Sequence, residues 1–165
     1  MEKWDIYDKD RNKMNKTVNR GDYLSDEEYH LVVNVWIKNS KNELLIAQRS
    51  ENKTFPLMWE CVGGSAIEGE TTLDAAIRET NEELGIDLSD SKYKLIGTTN
   101  RYYEGCPDIL DVYLFEKDID INDIIFQKEE VNDVMWVDYN KIMELVKNNK
   151  FETNKFFDEI MDLVK

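Results

Sequence analysis

Apolar and polar residues alternate through Trp4-Asp5-Ile6-Tyr7, and the polar run from Asp8 to Asn12 reads as a turn, so a hairpin is predicted within about residues 1–20. Tyr29 to Lys38 (YHLVVNVWIK) is β-branched and apolar, the pattern of a central strand. Asn39 to Asn42 reads as a turn, and Glu43 to Arg49 returns as a second strand. A loop carrying Pro56 follows from Ser50 to Met58, and then a short apolar strand ends at Val62. Lys92 to Tyr103, Ile109 to Lys117 and the short Val134 to Val137 also read as strands. The period changes to that of a helix over Thr72 to Leu84, Tyr139 to Lys147 and Thr153 to Val164.

Strands outnumber helices, and the helices gather in the middle and at the C-terminus, which predicts an α+β or mixed α/β fold. No internal boundary is visible, so residues 1–165 are expected to form a single domain. No apolar stretch approaches the ~18 residues of a membrane span; Leu31 to Ile37, the longest, is interrupted by Asn34. A polar start and two cysteines, Cys61 and Cys106, read as reduced thiols, point to a cytoplasmic protein. The net charge of −14 argues against a nucleic-acid polymer as partner, because phosphate backbones are bound by basic surfaces. A small phosphorylated metabolite or nucleotide stays open, since it needs only a metal and a few placed cations.

On the middle helix Glu79, Glu82 and Glu83 stand at i, i+3 and i+4 and project from one face. Like charges at that spacing repel, and three hard oxygen ligands on a rigid ridge suit Mg²⁺ or Mn²⁺. A solvated acidic face is the alternative. Two features favour the metal: Gly63-Gly64 follows the apolar segment, and Gly69-Glu70 precedes the helix, with glycines where backbone passes close to a ligand.

Gly64, Glu70, Arg78-Glu79-Thr80-Asn81-Glu82-Glu83 and Gly85-Ile86 together resemble the Nudix box, here spanning residues 64–86. Thr80 departs from it, standing where the family prefers an aliphatic residue on the buried side of the helix. The resemblance implies an α/β/α sandwich around a mixed sheet, with the box as a loop-helix-loop. It implies hydrolysis of a diphosphate linkage in a nucleoside diphosphate-X or similar substrate, by a monomer or homodimer. Glu79, Glu82, Glu83 and the Gly64 carbonyl would hold the metal, Arg78 would orient the glutamates, and Glu82 or a later carboxylate (Glu129 or Glu130, with Asp108 and Asp111 as competitors) would be the base. Glu70 would hold the box loop.

Upstream, Leu44 to Ser50, Lys53 and Phe55-Pro56-Leu57-Met58-Trp59 resemble the isopentenyl-diphosphate isomerase-like branch, which would put Arg49 and Lys53 on a diphosphate. The isomerase reaction itself is disfavoured. It needs a cysteine where this chain has glycine and a histidine-rich metal set where it has one histidine, His30. Cys61 reads as a small buried hydrophobe, and His30 as a strand residue satisfied by hydrogen bonding. Trp59, Tyr102 and Tyr103 could stack on an aromatic moiety. A non-catalytic nucleotide-binding module is a further alternative, opposed by the full set of acidic positions.

Overall fold

The computed structural model describes all residues, Met1–Lys165. Its strands are β1 (Lys3–Tyr7), β2 (Lys13–Asn19), β3 (His30–Lys38), β4 (Leu44–Arg49), β5 (Trp59–Glu60), β6 (Val62–Ser65), β7 (Lys92–Arg101), β8 (Asp108–Glu116) and β9 (Val131–Val137). Its helices are α1 (Thr72–Leu84), α2 (Tyr139–Lys147) and α3 (Phe157–Asp162).

β3 is the axis of a mixed sheet. It runs parallel to β8 along its whole length, from His30 opposite Asp108 to Lys38 opposite Glu116. On its other edge it pairs antiparallel with β6, Val32 to Val35 facing Ser65 to Val62. β7 closes the far side antiparallel to β8. β4 meets β3 only at Lys38 opposite Leu44, then diverges to pair with β9 and β5.

Both faces of the sheet are covered, so its central strands are apolar on both sides. Val33, Val35, Ile109 and Phe115 join Ala75, Ala76 and Leu84 of α1 in one core. Their alternates Trp36, Leu110, Val112 and Leu114 join Ile142, Leu145, Phe157 and Ile160 from α2 and α3 in the other. This is the α/β/α layering that the box resemblance implies. No helix is long and apolar enough to cross a membrane.

Several strand ends shift by one or two residues, and three differences go further. Gly63 and Gly64 do not follow a strand but lie inside β6, paired with Asn34 and Val33. β9 begins three residues early, at Val131, because Arg49 and Gln48 extend its ladder with β4. The last helix shrinks to Phe157–Asp162, since Phe156 takes a left-handed φ of 65° and gives no side-chain cap.

The ends of α1 are set by local chemistry. Thr71 and Asp74 form a reciprocal capping box, and Gly85 closes the helix at φ 66°, a conformation costly for any side chain. Small residues at Ala75 and Ala76 let the helix settle close on β3 and β6. Thr80 is fully buried there, and its hydroxyl donates to the Ala76 carbonyl at 2.8 Å, which satisfies the polar atom at the aliphatic position.

Candidate active site

At 100° per residue, Glu79 and Glu83 fall in the same arc of α1 as Ala76 and Thr80, while Glu82 lies a step outside it. The acidic ridge is therefore not opposite the buried stripe but at its margin. Side-chain exposure follows this geometry, at 13% for Glu79 and 53% for Glu82. Burial pushes the Glu83 carboxyl up to about 8, and the Glu79 charge adds to the effect. Burial also raises Glu79, against the pull of the Arg78 guanidinium.

Arg78 ties this ridge to the loop before it. Its Nε donates to Glu70 Oε1 at 2.7 Å, and Nη2 donates to Glu70 Oε2 and the Ser65 carbonyl, each at 3.0 Å. Nη1 reaches Glu79 Oε1 at 3.1 Å and Glu82 Oε2 at 3.3 Å. Glu70 also accepts from the Ile67 N–H at 3.0 Å, so it holds the box loop in shape. β6 passes directly beside the ridge: a Cβ on Gly64 would sit 2.3 Å from the Glu79 carboxyl.

A cleft of about 230 Å³ with no hydrophobic lining opens over these residues. Gly64, Glu79, Glu82 and Glu83 all line it, as do Lys53 and Glu130, which are paired at 2.6 Å. Arg49 does not line it. Its Nε donates to the Thr54 carbonyl at 2.6 Å and its Nη1 to both Glu60 oxygens at 3.0 and 3.1 Å, so it anchors the loop that carries Lys53.

The other candidates are placed elsewhere. Asp111 is bound by Arg11, Thr72 and Thr98, and Asp108 by Arg101. Glu129 is exposed and outside the cleft. Trp59 is buried in the α2/α3 core, while Tyr102 and Tyr103 are exposed away from the cleft. His30 differs from expectation: it stacks on Trp4 with centroids 3.9 Å apart, its Nε2 faces Cys106 Sγ at 3.4 Å, and its buried Nδ1 has no partner.

Three residues near the ridge escape the sequence reading. Glu60 on β5 is raised mainly by burial, and its charge is felt at Glu83. A lone acid in the apolar run Trp59-Glu60-Cys61-Val62 was the signal for it. Arg20 and Glu2 also line the cleft, brought there by the N-terminal hairpin. No local pattern could announce them, because only tertiary docking places them.

No three acidic, histidine or cysteine side chains already converge as a ligand shell. The donor set nonetheless fits a hard cation. Glu79 and Glu82 are held by one exposed-side guanidinium nitrogen at 3.1 and 3.3 Å, and Glu83 is pressed by Glu79, Glu60 and Glu130 with Lys53 as the counter-charge. Relief of that repulsion is what a divalent ion on oxygen ligands supplies.

The NUDIX domain model matches residues 28–160. The chain belongs to the Nudix family. An uncharacterised Nudix hydrolase of Listeria innocua is 38% identical over 99% of this chain and 95% of its own length. An isopentenyl-diphosphate Delta-isomerase of Corynebacterium diphtheriae is 25% identical over 78% of this chain and 74% of its own. Among solved structures, a Deinococcus radiodurans protein superposes with a TM-score of 0.77 over 99% of this chain and 100% of its own, at 20% identity. The NUDIX domain of Shewanella oneidensis NrtR, solved with ADP ribose, gives 0.62 over 82% and 85% at 15% identity. As a Nudix hydrolase the chain acts on diphosphate bonds, and divalent cations are the general requirement of that family.

Proposed function

We propose that this Nudix hydrolase cleaves the diphosphate linkage of a nucleoside diphosphate-X, or a similar small phosphorylated substrate, using Mg²⁺ or Mn²⁺ held by Glu79, Glu82, Glu83 and the Gly64 carbonyl. The observation that carries the reading is that those groups and Lys53 line one cleft with no hydrophobic residue in it. The bound ion would neutralise diphosphate oxygens and lower the pKa of a water.

The rest falls to this chain's own residues. Lys53 exchanges its Glu130 partner for a phosphate oxygen, a point charge meeting a point charge. Arg49 contributes by fixing the Lys53 loop through Glu60 and Thr54 rather than from within the cleft. Arg78, bridged to Glu70 and Ser65, keeps Glu79 and Glu82 facing the cleft. Glu82, the most exposed of the three, takes the proton of the attacking water; of the later carboxylates considered as base, only Glu130 lines the cleft.

An isomerase is among the relatives, but the side chains oppose that reading. Cys61 is buried in the core on the α2/α3 side, and burial pushes its thiol up to about 12. His30, the one histidine, is held under Trp4.

The test is a panel of ADP-ribose, nucleoside triphosphates, dinucleoside polyphosphates and isoprenyl diphosphates, with Mg²⁺ or Mn²⁺ and with chelator. ADP-ribose heads it because a structural neighbour was solved with that ligand. Metal-dependent cleavage that falls by about two orders of magnitude in Glu82→Gln is expected for loss of a general base. Absence of cleavage across the panel with either metal would overturn the proposal, and full activity in Glu82→Gln would move the base to Glu130.

A further inference from the structure

The cleft is dominated by carboxylates, yet its bound ligand is a polyanion on the reading above. Glu2, Glu79, Glu82, Glu83 and Glu130 face two cations, Lys53 and Arg20. Lys53 belongs to the loop after β4. Arg20 comes from the other end of the chain, just past β2, and Gly21 beside it takes the left-handed φ of 92° that turns the chain away.

The hairpin carrying Arg20 is fastened to the box rather than hanging free. The Gly69 N–H donates to Asp5 Oδ2 and the Glu68 N–H to the Lys3 carbonyl, both at 2.8 Å, so β1 lies along the loop that leads into α1. A second fastening joins Arg11 in the hairpin turn to Asp111 of β8 at 2.6 and 2.8 Å. Both ends of the hairpin are thus held, and Arg20 lines the same cleft as Glu79.

Arg20 has only one side-chain partner. Its Nη1 donates to Glu2 Oε2 at 2.7 Å, with both side chains about half exposed. Lys53 is held in the same way, by Glu130 at 2.6 Å. An exposed ion pair of this kind contributes little to stability, and a phosphate is a better match for a guanidinium fork than a monodentate carboxylate. Each cation is therefore kept in place by a carboxylate that a phosphate can displace.

Resting on the diphosphate-hydrolase reading, we propose that Arg20 is a substrate-binding residue, which swings from Glu2 to a phosphate group of the substrate in the cleft it shares with Lys53. Arg20 contributes through binding rather than bond-breaking, so its effect lies on KM or ligand affinity. Glu2 is its placeholder and works against binding until it is displaced.

The experiment measures inorganic pyrophosphate binding with Mg²⁺ by calorimetry, alongside KM on whichever panel compound is turned over. Arg20→Ala is expected to weaken pyrophosphate by about tenfold, the loss of one charge-assisted contact, with Arg20→Lys recovering part of it. Glu2→Gln breaks the same ion pair but frees the cation, so it should tighten binding, and that gain should vanish when Arg20 is already alanine. Melting temperatures close to wild type are expected for all three, since the pair is exposed. Arg20→Ala binding like wild type, or Glu2→Gln weakening binding in parallel with Arg20→Ala, overturns the assignment. If wild type turns over a panel compound and Arg20→Ala does so with unchanged KM, this inference alone fails. If wild type neither binds pyrophosphate nor cleaves the panel, the hydrolytic proposal falls and takes this one with it.

Discussion

At the scale of single residues, burial decides which ionisable groups are tense and which are not. His30 lies at 3% exposure against Trp4, and burial, with Arg101 and Arg20 adding like charge, pushes it down to about 4. Its ordinary value is 6.5, so the unfolded chain binds a proton in a range where the folded one does not. Stability from this site is intact above pH 6.5 and is lost as pH falls towards 4. Down to pH 5 the loss is about 2 kcal/mol. Glu83, raised to about 8, runs the opposite way, gaining stability as pH falls from 8. The measurement must therefore be a difference: urea unfolding of wild type and of His30→Gln at pH 7 and pH 5. The wild type should lose about 2 kcal/mol more than the variant. Equal losses would show that His30 titrates normally in the fold.

At the scale of elements, Asp111 shows how the N-terminal hairpin is joined to the sheet. It sits buried on β8 and accepts from Arg11 of the hairpin turn, Thr72 at the start of α1 and Thr98 of β7. Burial pushes its carboxyl up, but those bonds outweigh it and hold the group below the usual range. Asp111→Ala should cost about 3 kcal/mol, the loss of a buried, fully paired charge. Hydrogen exchange should quicken in β1 and β2 more than in β3. Protection unchanged in the hairpin would mean that its box-loop contacts hold it alone. The elements themselves were largely legible in the sequence. The apolar run of β3 and the helical period of α1 carry their own signals, because burial on both faces and on one stripe leave distinct patterns. Register was not legible: Gly63 and Gly64 read as loop because glycine lacks a side chain to declare a strand face, and only the ladder with Asn34 and Val33 shows it. The box ridge was readable from local spacing, whereas Arg20 and Glu2 are separated from it by 59 and 77 residues of chain and no local rule connects them. Arg49 shows the same limit, since its partners Glu60 and Thr54 are supplied by the folded loop.

At the scale of the whole molecule, a net charge of −14 makes any cation stabilising to some degree, so metal binding must be separated from simple screening. Raising NaCl from about 10 to about 150 mM shortens the screening length from roughly 30 to 8 Å and should raise the melting temperature through reduced self-repulsion. Mg²⁺ held by the box glutamates should add a further, saturable rise, because an ion that binds only the folded state stabilises it by mass action. The double variant Glu79→Gln, Glu83→Gln separates the two effects. Above pH 8, where the Glu83 carboxyl is ionised, it removes two half-buried carboxylates that repel each other, so it should melt higher than wild type without metal, by a few degrees for about 1 kcal/mol. It should keep its response to NaCl and lose the saturable response to Mg²⁺. Retention of a saturable Mg²⁺ shift in the double variant, with calorimetric affinity unchanged, would place the ion away from α1 and remove the ridge from the metal site.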